Sequence, residues 1–292
     1  MAQDRFGIGE WYGRPFVTLT PEERRRFAGA AHRSVACPFR STPAAVFPCS
    51  KAGGVCSLRL YHQDDEGAVT TVAGQSLRTT CPNRFHQDHT IFSWIGEVLL
   101  GTAEPLVVGE VGFLERENGE AGDDVGRIDH ILVHPTRDPL HWCALEIQAV
   151  YFSGASMRAD FTAIREHGGA GIPFPAGFRR PDYRSSGPKR LMPQLQIKVP
   201  ALRRWGKKLA VVVDEAFFSA LGRMDAAQHV SNCDIAWFIV RYDDDAEAFT
   251  LSRGTVRLTT LERAVEGLTG GQPVSLETFE ARIAAKLGVA QR

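Results

Sequence analysis

Three strand-length apolar runs, residues 142–151, 208–213 and 235–242, are separated by segments long enough for helices. That alternation predicts an α/β fold with a mixed central sheet flanked by helices. Residues 128–133 read as a further strand. A helix is expected within 190–208, after Pro193, and another from about Glu215. Two more, near 261–268 and 276–287, end the chain, and residues 246–258 are expected to form a hairpin around Arg253-Gly254. Upstream, Thr20-Pro21-Glu22-Glu23 predicts a helix start that runs to about His32. There Thr20 caps, Pro21 suits the first helical position and Glu23 completes a capping box. Residues 88–100 are expected to be helical and to stop at Gly101.

The chain has 292 residues, enough for one large domain or a catalytic domain with a small appendage. It has no apolar run long enough to span a bilayer. Residues 1–10 lack an apolar signal-peptide core, so a cytoplasmic location is expected. A formal net charge of zero argues against a nucleic-acid partner until its distribution is considered. Residues 179–208 carry ten Lys or Arg and one acid, Asp182, or about +9. Acid-rich stretches at 64–66, 115–124 and 243–247 balance that charge. A local basic surface on a neutral protein can bind phosphates; the alternative is an ordinary solvated face.

Four of the six cysteines, Cys37, Cys49, Cys56 and Cys81, fall in a segment rich in Pro, Gly, Ser and Thr. Apart from short strand-like runs such as 55–61, such a segment can hardly bury a core by itself, and a metal staple would help it. None of the four forms a C-x-x-C knuckle, so reduced loop cysteines remain the competing reading. Cys37-Pro38 and Cys81-Pro82 are turn-like, and Gly53-Gly54 before Cys56 allows close backbone approach to an ion. Cys143 and Cys233 read as small core residues.

The sharpest chemical feature is Gly126-Arg127-Ile128-Asp129 followed by Leu145-Glu146-Ile147-Gln148. Side chains alternate faces on a strand, so Glu146 and Gln148 share one face and Leu145 and Ile147 the other. Beside an adjacent Asp129 strand, three oxygen-bearing side chains converge, a set suited to Mg²⁺. The competing reading is a turn acid and a solvated strand face. Against it, Glu146 and Gln148 interrupt an otherwise apolar strand, where partly buried polar groups need partners.

Residues 125–132 together with Ala144-Leu145-Glu146-Ile147-Gln148-Ala149-Val150-Tyr151-Phe152-Ser153-Gly154 resemble the NotI-type restriction endonucleases. In that group Gln replaces the usual Lys of the E-x-K pair, and Gln148 stands in that position. The resemblance extends from Phe6-Gly7-Ile8-Gly9-Glu10-Trp11-Tyr12-Gly13 to about Phe218. It implies a PD-(D/E)XK nuclease core over residues 87–292, and an N-terminal metal-stapled, loop-rich region over residues 1–86. Asp129 and Glu146 would bind Mg²⁺ and Gln148 would position the attacking water. Glutamine is no general base near neutral pH, so the metal or the substrate phosphate must activate that water. The family's upstream acid is assigned to Glu110, with Glu97 and Glu115 as rivals.

The same resemblance implies that Cys37, Cys49, Cys56 and Cys81 hold a structural iron or zinc that does no redox work. Arg179, Arg180, Arg184, Lys189, Arg190, Lys198, Arg203 and Arg204 become the expected DNA contacts, because Arg suits both phosphate and bidentate guanine recognition. The implied protein is a type II restriction endonuclease making Mg²⁺-dependent double-strand cuts in a GC-rich palindrome. A twofold-symmetric DNA target implies a homodimer. Two rivals keep the same residues: a non-catalytic, metal-stapled DNA-binding protein, and a PD-(D/E)XK nuclease of DNA repair.

Overall fold

The structure is a computed structural model that describes residues 3–116, 124–169, 171–244, 248–270 and 274–290. Ala246 and parts of the acidic stretches at 115–124 and 243–247 lie outside the described residues.

The chain opens with strand β1 (Gln3–Trp11). Helix α1 (Pro21–Gly29) follows with the expected capping box complete: the Thr20 side chain accepts from the Glu23 amide, and Glu23 reaches back to the Thr20 amide. β2 (Val55–Gln63) lies antiparallel to β1, with Phe6 opposite Leu60. Trp11, Tyr12, Phe16 and Leu58 bury the inner face of this small sheet.

The central elements begin with helix α2 (Thr90–Ile95), which continues as a wider turn through Leu100 and stops at Gly101, φ 75°. Strands β3 (Leu106–Val108), β4 (Val111–Glu115), β5 (Asp124–Ile128), β6 (His130–Val133) and β7 (Trp142–Ile147) come next. A short hairpin, β8 (Phe152–Gly154) against β9 (Arg179–Pro181), encloses helix α3 (Arg158–Glu166). Then follow α4 (Met192–Arg204), β10 (Leu209–Asp214), α5 (Glu215–Ser219), β11 (Ile235–Asp244), β12 (Phe249–Thr259), α6 (Leu261–Thr269) and α7 (Leu276–Ala290).

The main sheet is mixed and six-stranded, in the order β12-β11-β10-β7-β6-β3. β7, β10 and β11 run parallel, and the flanking pairs are antiparallel. Alternation on β10 sends Val211 and Val213 to one face and Ala210 and Val212 to the other. The first face packs under α4 and α6 through Leu195, Val199, Leu202, Ala264 and Leu268. The second packs under α2 through Phe92, Ile95 and Leu100. Helices therefore cover both faces, and the parallel strands read as near-continuous apolar runs for that reason.

Three sequence expectations need correction. The strand expected at 128–133 breaks at Asp129, because Ile128 pairs with Val111 on β4 whereas His130 pairs with Leu145 on β7. The strand expected through Tyr151 ends at Ile147; the Val150 amide instead donates to the Thr79 carbonyl at 2.7 Å. The hairpin is not centred on Arg253-Gly254, which lies within β12 opposite a register shift at Ile239 and Val240. A Cβ at Gly254 would meet the Ile239 carbonyl oxygen at 2.3 Å, so close strand approach requires that glycine, not a turn.

The packing also crosses residue 86. Ile164, Phe161 and Phe174 join the core of the N-terminal sheet, and Arg24 donates to the Gly171 carbonyl at 2.8 Å. Residues 152–174 thus build onto the N-terminal unit and carry it to the edge of the central cleft. Among the described residues, no helix is long and apolar enough to cross a membrane.

Candidate active site

A cleft of about 990 Å³ lies between the C-terminal end of β7, the start of α4 and the N-terminal unit, and Asp129, Glu146, Gln148 and Lys198 line it. The register explains why the two acids meet. Leu145 is the partner of His130, so one further antiparallel step sets Glu146 opposite Asp129. The Asp129 amide lies 3.5 Å from Glu146 Oε1. Asp129 occupies the residue where the chain changes partners, which frees it from both ladders and leaves it exposed. Glu146 is buried at 5% exposure. Burial, and then the neighbouring Asp129 charge, push its carboxyl up to about 7, against the pull of Lys198.

Gln148 follows the last residue of β7, and its amide still donates to the Val212 carbonyl at 3.0 Å. Its side-chain Nε2 donates to the Ala149 carbonyl at 2.5 Å, which fixes the amide and leaves its oxygen as an acceptor. The structure thus brings together Asp129, Glu146 and Gln148. Glu110 continues the register of Val111 and Ile128 to stand opposite Asp129, but its side chain is exposed, pairs with Arg127 at 3.3 Å and is not part of the cleft lining. Of the two rivals, Glu97 pairs with Arg253 and Glu115 also lies outside the lining.

The basic residues separate into groups. Arg180, Arg184, Lys189 and Arg190 are exposed; Lys189 and Arg190 line the cleft, and Arg190 stacks 3.5 Å over the Tyr151 ring. Arg179 needs correction as a surface contact. It is 3% exposed and bonds Asp160 and the Phe6 carbonyl, because on a strand its side chain points opposite to that of Arg180. Lys198 is also buried, and it bonds Glu146. Arg203 is held by Asp234 and Glu262 at the far end of α4, and neither it nor Arg204 lines the cleft.

All four N-terminal cysteines are buried and unbridged. They come as two backbone-linked pairs. An Ala36–Pro48 bridge sets Cys37 beside Cys49, and the Cys81 amide donates to the Cys56 carbonyl at 3.1 Å. Lys51 Nζ joins the halves through the Thr80 carbonyl at 2.7 Å. Burial raises the Cys49, Cys56 and Cys81 thiols; the Cys37 charge adds to the rise at Cys49 and Cys81. As arranged here, no three His, Cys, Asp or Glu side chains among the described residues stand in metal-holding geometry.

The family model described as "Restriction endonuclease NotI" matches residues 23–252, well over half of the chain. The chain belongs to the NotI restriction endonuclease family. It is accordingly a type II restriction endonuclease, an enzyme that hydrolyses DNA at a specific site. A comparison with curated proteins finds no match. The matched span contains the four cysteines, Asp129, Glu146, Gln148 and the whole basic segment.

Proposed function

We propose that this member of the NotI family is a PD-(D/E)XK nuclease that makes Mg²⁺-dependent double-strand cuts in a GC-rich palindrome, acting as a homodimer. The observation that carries the reading is the opposed pair Asp129 and Glu146 on the floor of the cleft. Two carboxylates at neighbouring positions, one of them buried, repel each other, and a hard divalent cation between them relieves that repulsion. Bound Mg²⁺ would supply a water of lowered pKa and charge at the leaving oxygen. Gln148, with its amide nitrogen held by Ala149, offers its oxygen to orient the attacking water. Lys189 and Arg190 line the cleft, and together with the exposed Arg180 and Arg184 they suit DNA phosphates or guanine edges.

Digestion of a GC-rich plasmid tests this reading directly. Discrete fragments are expected in Mg²⁺ and intact plasmid in EDTA. A smear would fit a nonspecific repair nuclease, and binding with no cut under any divalent ion would fit a non-catalytic DNA-binding protein. Sedimentation of the complex with a duplex carrying the mapped site checks for two chains per site.

The reading extends to the cysteines. Four buried sulfurs in two linked pairs are a soft donor set that suits structural iron or zinc. Binding would draw the pairs together and displace the protons that burial holds on the Cys49, Cys56 and Cys81 thiols. We expect about one iron or zinc per chain, retained through an EDTA treatment that strips Mg²⁺. Elemental analysis checks this, and an active, folded sample without a transition metal would refute it.

A further inference from the structure

We propose that Lys198, delivered from helix α4 and not from the catalytic strand, is a catalytic cation whose ammonium contacts the scissile phosphate and the attacking water beside Glu146. The proposal rests on the reading of Asp129 and Glu146 as the metal-holding pair.

The strand itself offers no cation here. Glu146-Ile147-Gln148 ends in a neutral amide, whose Nε2 donates to the Ala149 carbonyl. The cation comes from the covering helix: Lys198 Nζ bonds Glu146 Oε1, with side-chain exposures of 3% and 7%. Packing alone does not account for a lysine there. Leu195, Val199 and Leu202 make that side of α4 part of the apolar core, where an apolar residue is the default. Lysine is almost never fully buried unless paired, and a buried ion pair is often no more stabilising than an apolar one.

The bonding of the ammonium points the same way. It has three N–H donors, and the structure gives it one acceptor among the described residues, Glu146. Two donors remain for whatever enters the cleft that Lys198 lines with Asp129, Glu146 and Gln148. In the hydrolysis, the water oxygen bonds to phosphorus and the bond from phosphorus to the leaving ester oxygen breaks. The proton released by the water reaches that leaving oxygen through solvent. Lys198 keeps its own protons throughout. It donates to a non-bridging oxygen as negative charge builds and to the water as it attacks. A donor already buried and fixed by Glu146 costs little reorganisation at that moment.

The test is single-turnover cleavage, at saturating Mg²⁺, of a duplex carrying the site mapped by plasmid digestion. Duplex affinity in Ca²⁺ and the thermal melt are measured alongside. Lys198→Gln is expected to cleave roughly a hundredfold or more slowly, with duplex affinity within about threefold of wild type. Lys198→Gln/Gln148→Lys, which returns an ammonium to the strand, is expected to recover at least about tenfold of that loss. Cleavage by Lys198→Gln within about threefold of wild type would overturn the proposal. A slow variant that the second lysine does not rescue, or failure of both variants to melt cooperatively, marks Lys198 as structural and also overturns it. Asp129→Ala and Glu146→Ala are run in parallel. If they cleave like wild type, it is the placement of the active site that fails.

Discussion

Asp129→Ala and Glu146→Ala should each reduce cleavage by roughly a thousandfold or more, while specific DNA binding remains measurable in Ca²⁺. A catalytic metal supplies several kcal/mol of transition-state charge stabilisation, and each increment of about 1.36 kcal/mol is a factor of ten in rate. The exposed basic residues at the cleft entrance are untouched by either change, so affinity for DNA should survive. Plasmid cleavage and fluorescence anisotropy with labelled duplex separate the two effects. Strong residual cleavage by both variants would move the active site away from β6 and β7.

The same pair sets a pH dependence. The unfolded Glu146 carboxyl loses its proton near its ordinary value of about 4.5, whereas in the folded chain it holds the proton up to about 7. Between those values the native state binds more protons, so without metal this group makes stability fall as pH rises, and the cost is complete above about 7. On the proposed reading, Mg²⁺ bound by Asp129 and Glu146 would compete with that proton. It should therefore raise the melting temperature more at pH 8 than at pH 6, and Asp129→Ala should weaken that Mg²⁺ effect.

What could be read before folding was what local chemistry decides. The α1 capping box needs only Thr20 and Glu23, three residues apart, and the stop at Gly101 needs only a residue at ease with positive φ. The apolar runs of β10 and β11 announce burial on both faces. Features that depend on distant partners were hidden. The break at Asp129 exists because two different strands, β4 and β7, claim its neighbours. Arg179 and Lys198 looked like members of one basic surface, yet each is turned inward onto a carboxylate, Asp160 or Glu146. A strict strand alternation would have set Arg179 apart from Arg180. The helical spacing from Leu195 to Lys198 and Val199 carried a matching signal for Lys198. Arg203 could not be sorted this way, because its partners Asp234 and Glu262 come from elements far along the chain.

Arg84→Met should destabilise the protein by about 3–5 kcal/mol, the usual cost of removing one partner from a buried ion pair. Arg84 is fully buried at 0% exposure and pairs with Glu10 at 1%. Its Nε bonds the Glu10 carboxylate at 2.8 Å, its Nη1 reaches Gln87 at 2.6 Å, and its Nη2 reaches the Phe249 carbonyl at 2.7 Å. The guanidinium lies over the rings of Phe39 and Tyr242. One side chain thus ties β1 and the loop before α2 to the edge strand β12, three residues after Cys81. Without it, Glu10 retains only the Ser57 hydroxyl, at 2.8 Å, among these partners, and the Phe249 carbonyl loses its guanidinium donor. The expected loss is a large part of the roughly 5–15 kcal/mol that stabilises a typical domain. Glu10→Gln/Arg84→Met should lose less than the sum of the two single changes, because the second substitution removes a charge that the first had already stranded. Urea melts of the three variants, compared at fixed m-value, measure both quantities. If Arg84→Met shifts stability by less than about 1 kcal/mol, the N-terminal unit does not depend on this pair for its attachment to the main sheet.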